Sequence, residues 1–539
     1  MAKRGNISAN AQKILEKRYL LKDEKGKTIE TPVQMFKRVA KFVSKNNKKL
    51  QKQFYQVMSN LEFLPNSPTL MNAGTEIGQL SACFVLPVED SLESIFNTLK
   101  TAALIHQSGG GTGFSFSRIR PRGDIVKSTK GIASGPVSFI EVYNKTTQVI
   151  RQGGKRRGAN MGVLRVDHPD IVEFIKAKEK EGSLANFNLS VGVTDKFMKA
   201  VRENKNYDLI NPRTKKPVKK VNAGKIFDLI VEMAWKTGDP GIIFLDEINR
   251  KHPLKEKIES TNPCGEVPLL PYESCNLGSI NLKKFVKNKK IDYKKLKKII
   301  RIAVKFLNNV IDVNKYPLKE IEKITKTNRK IGLGVMGFAE MLILLGIPYG
   351  SEQALKTADK LMKFISEQAK KTAKRNLTVT TIAPTGTISI IAGCSNSIEP
   401  LFAVSFVRKV MGGTKLVEVN ALFEEIAKQK GFYSKNLMKK IANKGTVQNI
   451  KEVPKEMQKL FETAYDILPE QHVKMQAVFQ KYTDNAVSKT VNLKKNAAKA
   501  DVKNIFLLAY KLKCKGVTVF RQGSRKEQVI NIGKCKVCL

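Results

Sequence analysis

What this 539-residue chain has least of is acid and aromatic weight. Its 48 aspartates and glutamates face 96 lysines and arginines, a formal net charge of +48, and it holds one tryptophan and four histidines. Long apolar runs are missing too. The longest, residues 337–347 (GFAEMLILLGI), contains Glu340 and falls far short of a bilayer span, and the first residues carry no apolar signal core. A soluble chain with no targeting signal and no membrane partner is the expectation. The seven cysteines, an odd number scattered from Cys83 to Cys538, exclude the dense even framework of a small secreted domain and suit a reducing cytoplasm. With 42% hydrophobic residues, 36 glycines and 20 prolines, the chain can bury a large core, which excludes a wholly disordered or fibrous protein.

The charge invites a nucleic-acid reading, because clustered cations release counterions from phosphates. The lysines are spread, however, and in residues 283–298 they interleave with Ile and Leu at helical spacing, the pattern of a solvated helix face. The same field attracts anionic small molecules such as nucleotides.

Helical periodicity marks residues 31–64, which predicts a small helical N-terminal region over 1–64. From 65 onward, strongly periodic helices (Ala223–Thr237, Tyr293–Val313, residues 352–375) alternate with short β-prone runs at 241–245, 377–382 and 516–520. That alternation predicts an α/β architecture over 65–520. Residues 521–539, polar and basic, read as a mobile tail.

Chemistry concentrates in a few segments. In Thr261-Asn262-Pro263-Cys264-Gly265-Glu266-Val267-Pro268, two prolines and a glycine exclude a helix interior. An extended chain there places Asn262, Cys264 and Glu266 on one face: an orienting amide, a reactive sulfur and a general base. A polar loop around a buried thiol has the same pattern, and spacing does not choose between them. Cys83 and Cys275, flanked by small or apolar residues, suit core thiols. The terminal Cys535-Lys536-Val537-Cys538 instead suits thiol–disulfide exchange with an internal disulfide. Zinc is the competing reading of that tail. No second Cys-x-x-Cys exists, and Cys514 would need a partner such as His106, His168, His252 or His472, so no metal site is expected. In Ala383-Pro384-Thr385-Gly386-Thr387-Ile388-Ser389, small hydroxyl residues around a glycine can cradle a phosphate, although a plain strand-to-turn looks alike.

Eight segments in order, FLPNSPTLMNAG, SACFVLPVEDSLESIF, GGGTGFSFSRIRPRGD, GGKRRGANMGVL, NPCGEVPL with SCNLGSINL, APTGTISIIAGCSNSIEPLF, VSKTVNL and CKGVTVFRQGSR, closely resemble the ribonucleotide reductase catalytic chains, within them the adenosylcobalamin-dependent class. The resemblance implies a ten-stranded α/β barrel with a central finger loop. On its tip Cys264 would be the thiyl-radical cysteine that takes the 3′-hydrogen of the ribose. Glu266 would take the 3′-OH proton, and Asn262 would hydrogen-bond the substrate. Cys83 and Cys275 would supply two electrons, and Cys535 and Cys538 would recharge them from a thioredoxin- or glutaredoxin-like reductant. Ser67, Ala82 and Cys83, Gly111, and the loop of Pro384, Thr385, Gly386, Thr387 and Ser389 match positions that hold the ribonucleotide. Asp90, Ser91, Arg120 and Lys127 match an effector site for a deoxynucleotide or ATP at a homodimer interface, and residues 153–162 match the loop that relays effector identity.

The radical source follows from further resemblances. The class fed by a second subunit needs adjacent tyrosines near the C-terminal strand, where this chain has Val517-Thr518-Val519-Phe520, and none of its 12 tyrosines are adjacent. The glycyl-radical class needs a C-terminal motif that the final residues do not contain. Adenosylcobalamin is the expected cofactor. A class I-type large subunit dependent on a radical-generating partner and a basic nucleic-acid-binding protein are the alternatives. The short run before the first family segment implies no ATP-binding activity domain, hence no overall on/off control by ATP and dATP.

Overall fold

The computed structural model describes residues 7–126, 129–152, 156–410, 414–525 and 530–531. The N-terminal region is helical, as the periodicity predicts. Its helices are α1 (Ala9–Arg18), α2 (Pro32–Val43) and α3 (Lys48–Ser59). The second opens with a capping box, Thr31 accepting from the Gln34 N–H, and with Pro32 at its first position, where a missing N–H costs nothing. Phe36, Val39, Phe54 and Met58 are buried in one core with Phe306 and Leu307 of the helix Tyr293–Val313, and the Phe54 ring meets Phe306 edge-on at 5.0 Å. Residue 64 is therefore no break in packing.

Ten strands form the main sheet. In chain order they are β1 (Phe63–Pro65), β2 (Cys83–Leu86), β3 (Gly111–Ser115), β4 (Asn160–Arg165), β5 (Phe187–Val193), β6 (Gly241–Phe244), β7 (Ser274–Asn281), β8 (Ile331–Met336), β9 (Thr490–Leu493) and β10 (Gly516–Arg521). Strands β2 to β6 run parallel to one another. Strands β7 and β8 are parallel, as are β9 and β10. The two sets meet antiparallel, at β2 with β7 and at β6 with β10. The remaining gap is closed by residues 380–382, which bridge Leu333 through Thr380 and Val487 through Ile382, both parallel. The result is a closed α/β barrel of two parallel halves, with β1 pairing antiparallel to β7 at Gly278–Ile280, further along that strand than β2. The β-prone run 377–382 thus lies in the wall, although it forms single bridges and no full strand.

Helices cover the outside. Tyr293–Val313 buries Leu296, Ile300, Ala303, Phe306, Leu307 and Val310, while Lys294, Lys297, Lys298, Arg301 and Lys305 stay exposed. Ala223–Thr237 has the bounds its pattern predicts, with Asn222 capping its start and Gly238, at φ 80°, ending it. The helix expected over 352–375 stops at Thr372. No helix among the described residues is long and apolar enough to cross a membrane.

Candidate active site

Inside the barrel stands a hairpin whose two short strands, Ser260–Thr261 and Pro268–Leu269, pair antiparallel. Its tip is a tight turn, the looped of the two forms, extended or looped, that the prolines and glycine allow. Gly265 sits at φ 78°, its N–H donates to the Asn262 carbonyl at 3.0 Å, and the Val267 N–H donates to Asn262 Oδ1 at 3.0 Å. Around this turn Asn262 and Glu266 are buried and Cys264 is exposed, and all three act on the Cys83 thiol. The barrel grips this finger on several sides. Asn188 of β5 donates to the Pro263 carbonyl at 2.7 Å, and the Ala486 N–H donates to the Glu266 carbonyl at 2.8 Å. A Cβ on Gly113 would stand 1.7 Å from the Thr261 carbonyl oxygen, and one on Gly111 would stand 2.9 Å from the Pro263 ring. Those glycines of β3 are the space the finger occupies.

Below the tip, Cys83 and Cys275 are direct cross-strand partners where β2 meets β7, and both are buried reduced thiols. Directly opposed residues of an antiparallel pair have Cα atoms about 4.5–5.5 Å apart, within the range a disulfide spans. Asn262 donates to Cys83 Sγ at 3.1 Å. Burial pushes the Cys83 thiol well above its ordinary range, and negative charge on Glu266, Cys275 and Cys264 adds to this while Asn262 opposes it. Burial raises Cys275 as well, against the pull of Lys330. Both therefore remain S–H at neutral pH, able to give hydrogen and electrons together.

Cys264, Pro263 and Gly265 line a cavity of about 1020 Å³ that also touches Pro384, Gly393, Cys394, Glu399, Lys489 and Phe520. The loop of hydroxyl residues borders it. Thr385 holds φ 54°, and its Oγ1 accepts from the Ser397 N–H at 2.7 Å, while Ser389 Oγ donates to Asn396 at 2.6 Å. Gly386 is exposed, and a Cβ there would meet no atom within 4 Å. Arg18 of α1, 7% exposed, reaches Thr387 Oγ1 at 3.3 Å, and Tyr19, which caps the end of that helix, hydrogen-bonds Ser67 at 2.7 Å. Sequence reasoning missed Arg18, Tyr19, Asn188 and Lys489, while Glu399 falls in the stretch Gly393 to Pro400, which the sequence marks as a further candidate loop. The first two lie some 370 and 50 residues from their partners, and no local pattern encodes that approach. Ala82 sits in the sheet, its N–H donating to Cys275 O at 3.1 Å and its carbonyl accepting from Gly111 at 2.9 Å.

The residues matched to an effector site lie apart from this cavity. Asp90 accepts from the Arg120 N–H at 3.0 Å and pairs with its guanidinium at 2.9 Å, while Ser91 caps the helix Leu92–Gln107. Lys127, Gly153, Gly154, Cys535 and Cys538 lie outside the described residues. The four histidines are spent separately: His106 on Thr112, His168 on Ile119, His252 on Lys330, and His472 on Ala464 and Lys489.

Known proteins share both the fold and the sequence. The chain matches the family described as ribonucleotide reductase, barrel domain, over residues 81–375 and 365–520, and ribonucleotide reductase, all-alpha domain, over residues 6–78. It is 50% identical to a vitamin B12-dependent ribonucleoside-diphosphate reductase of Thermoplasma acidophilum, over 98% of this chain and 80% of that one. It is 47% identical to the protein of the same name in Mycobacterium tuberculosis H37Rv, over 99% and 80%. Among solved structures, the class Id ribonucleotide reductase alpha subunit of Actinobacillus ureae superimposes with a TM-score of 0.80 at 23% identity, covering 96% of this chain and 97% of that one, a likeness of fold. A closed barrel of two parallel halves, a cysteine carried to its centre on a finger and a thiol pair beneath it agree with matches that run through nearly the whole sequence: the chain belongs to the ribonucleotide reductase family.

Proposed function

We propose that this chain reduces ribonucleotides to 2′-deoxyribonucleotides, with adenosylcobalamin as the radical source and Cys264 as the residue that carries the radical to the substrate. The observation that carries this reading is the finger tip: an exposed Cys264 facing a large cavity, with Asn262, Glu266 and Cys83 gathered behind it. The names of the relatives from Thermoplasma acidophilum and Mycobacterium tuberculosis favour a ribonucleoside diphosphate as substrate.

The residues present fit the cofactor. Gly265 and Gly393 turn bare backbone to the cavity, where a Cβ on either would meet no protein atom within 4 Å. Adenosylcobalamin brings the ligands of its own metal, so it asks the protein for room beside Cys264 more than for metal-binding side chains. When bound, it supplies a weak cobalt–carbon bond whose homolysis provides the hydrogen-abstracting radical that side chains do not generate unaided. Val519 and Phe520 occupy β10 where a relay from a second subunit would need tyrosines.

The chain's own residues do the rest. The Cys264 thiyl takes the 3′-hydrogen, Glu266 holds the proton of the 3′-OH, and Asn262 orients the sugar from the finger. The 2′-OH leaves as water. Cys83 and Cys275 give two protons and two electrons and become a disulfide, and Cys264 returns its hydrogen to C3′. Arg18 adds positive charge beside the loop of Pro384 to Ser389, which holds the phosphates. Cys535 and Cys538 reduce the disulfide at the expense of a thioredoxin- or glutaredoxin-like protein, in a reducing compartment such as the cytoplasm. Asp90, Ser91, Arg120 and Lys127 form the effector site at a homodimer interface. Exposed Leu92, Phe96 and Leu104 on one helix, with Val142 and Val149 on its neighbour Pro136–Val149, support an interface there.

The deciding experiment is an anaerobic assay of ribonucleoside diphosphate reduction by the purified chain with a dithiol. Deoxynucleotide should form with adenosylcobalamin present and not without it. Turnover in its absence would overturn the cofactor assignment.

A further inference from the structure

Two stretches of the chain have no part in the reaction so far, and the fold brings them together on the cavity wall. One is the loop at 395–401, C-terminal to the phosphate loop, which carries Glu399. The other is the stretch 487–493 leading into β9, which carries Lys489 and Thr490. Glu399, Lys489, Thr490 and Asn492 line the same cavity as Cys264.

Their hydrogen bonds divide the roles. Glu399 Oε1 accepts from the Thr490 N–H at 2.9 Å, and Oε2 accepts from the Lys489 ammonium. That ammonium, with no exposure of its side chain, also donates to His472 Nδ1 at 3.0 Å and to the Thr490 carbonyl at 3.4 Å. An ammonium has three hydrogens, so Lys489 is fully used inside the protein and has none left for a ligand. His472 is fixed in turn by the bond of its Nε2 to the Ala464 carbonyl at 3.0 Å. Burial, then the Lys489 charge, holds His472 well below the ordinary imidazole range, so its Nδ1 is an acceptor.

Glu399 differs from its two neighbours in keeping 22% of its side chain exposed. Each carboxylate oxygen accepts two hydrogen bonds and has one from these partners. The pair of oxygens is thereby held at a fixed angle with acceptor capacity left on both. Such a group repels phosphate and suits paired hydroxyls, as an acidic side chain does on the ribose of dinucleotides. A vicinal diol reaches this cavity from two sources, the substrate ribose and the adenosyl group. The substrate's diol is engaged by Glu266, Asn262 and Cys83.

We infer that Glu399, held rigid by Lys489 and the Thr490 N–H, accepts hydrogen bonds from the ribose diol of the cofactor's 5′-deoxyadenosyl group. This rests on the cofactor reading above. Lys489 and His472 are positioning residues.

The test is binding, read by visible absorption of cobalamins titrated with the full chain. Two variants are compared with the wild type: Glu399→Gln, and Glu399→Gln with Lys489→Met so that no buried cation is stranded. Hydrogen bonds to a charged group are worth enough that both variants should bind adenosylcobalamin about tenfold or more weakly. Hydroxocobalamin, which has no adenosyl group, should bind all three proteins alike. An adenosylcobalamin lacking both ribose hydroxyls should bind the wild type as weakly as the variants. Unchanged adenosylcobalamin affinity in the variants would overturn the inference, as would equal weakening toward both cobalamins. Weakened binding of a ribonucleoside diphosphate with cobalamin binding unchanged would assign the diol to the substrate instead. Failure of the wild type to bind any cobalamin would remove the cofactor reading along with the inference.

Discussion

At the scale of single residues, the three thiols assigned to the reaction differ by where the backbone puts them. Cys264 is exposed because the turn at Gly265 everts it, whereas Cys83 and Cys275 are sealed between β2, β7 and the finger. Cys264→Ser should abolish nucleotide reduction, since an alcohol O–H bond is too strong for balanced hydrogen transfer. Stability should change by no more than about 0.5 kcal/mol, as for other exposed positions. Chemical denaturation beside the activity assay checks both, and a stable variant with residual turnover would remove Cys264 from the chemistry. Cys83→Ser should leave nucleotide binding intact and permit at most one abortive turnover with any external dithiol, because the two-electron donor is a pair. Single-turnover product analysis reads this directly.

At the scale of elements, glycines and buried polar groups decide how strands, helices and finger fit. Gly113 gives β3 the clearance the finger needs, so Gly113→Ala should displace the hairpin at a cost of about 1–3 kcal/mol. The variant should lose activity with its circular dichroism spectrum preserved; full activity would place the finger elsewhere. A second element-scale device joins the helix Leu92–Gln107 to β3 and β4. His106 Nε2 meets Thr112 at 2.9 Å, and Thr112 donates to Asn160 at 2.7 Å. Burial lowers the imidazole pKa from 6.5 to about 4. The unfolded chain therefore takes up this proton before the folded one, and stability falls as pH drops from 6.5 toward 4. The shift corresponds to about 3 kcal/mol, fully present above the unfolded pKa. In His106→Gln this acid-limb loss should shrink, measured by urea unfolding at pH 7 and pH 4.5. An unchanged difference between the two pH values would show that other groups govern the acid limb.

At the scale of the whole molecule, surface pattern matters more than any one contact. Lysines on the outer face of Tyr293–Val313 account for much of the charge locally as a solvated helix face over a buried apolar one. The helices Leu92–Gln107 and Pro136–Val149 do the reverse and leave Phe96 50% and Val149 74% exposed. Phe96→Lys should therefore shift the chain toward monomer in sedimentation and flatten the response of substrate preference to effector nucleotides. Basal reduction should persist, because the barrel cavity lies in one chain. A dimer unaffected by this change would move the interface to another face.

Periodicity and caps made Ala223–Thr237 and Tyr293–Val313 legible residue for residue, because local hydrogen bonds and one apolar face set a helix. The ordered motifs likewise carried the family, the barrel and the cysteine, glutamate and asparagine of the finger. The family resemblance, and not the residues' own spacing, implied the partnership of Cys83 with Cys275, which lie 192 residues apart and meet in the register of β2 and β7. Tertiary structure decided the rest. It turned the finger tip so that Cys264 is exposed while Asn262 and Glu266 are buried, and it closed the barrel through residues 380–382 with isolated bridges. It also brought Arg18 to Thr387 and joined Glu399 to Lys489. The physical reason is common to these cases: each is a contact between segments distant in sequence, fixed by closure of the barrel and by burial of charge, and neither leaves a periodic trace along the chain.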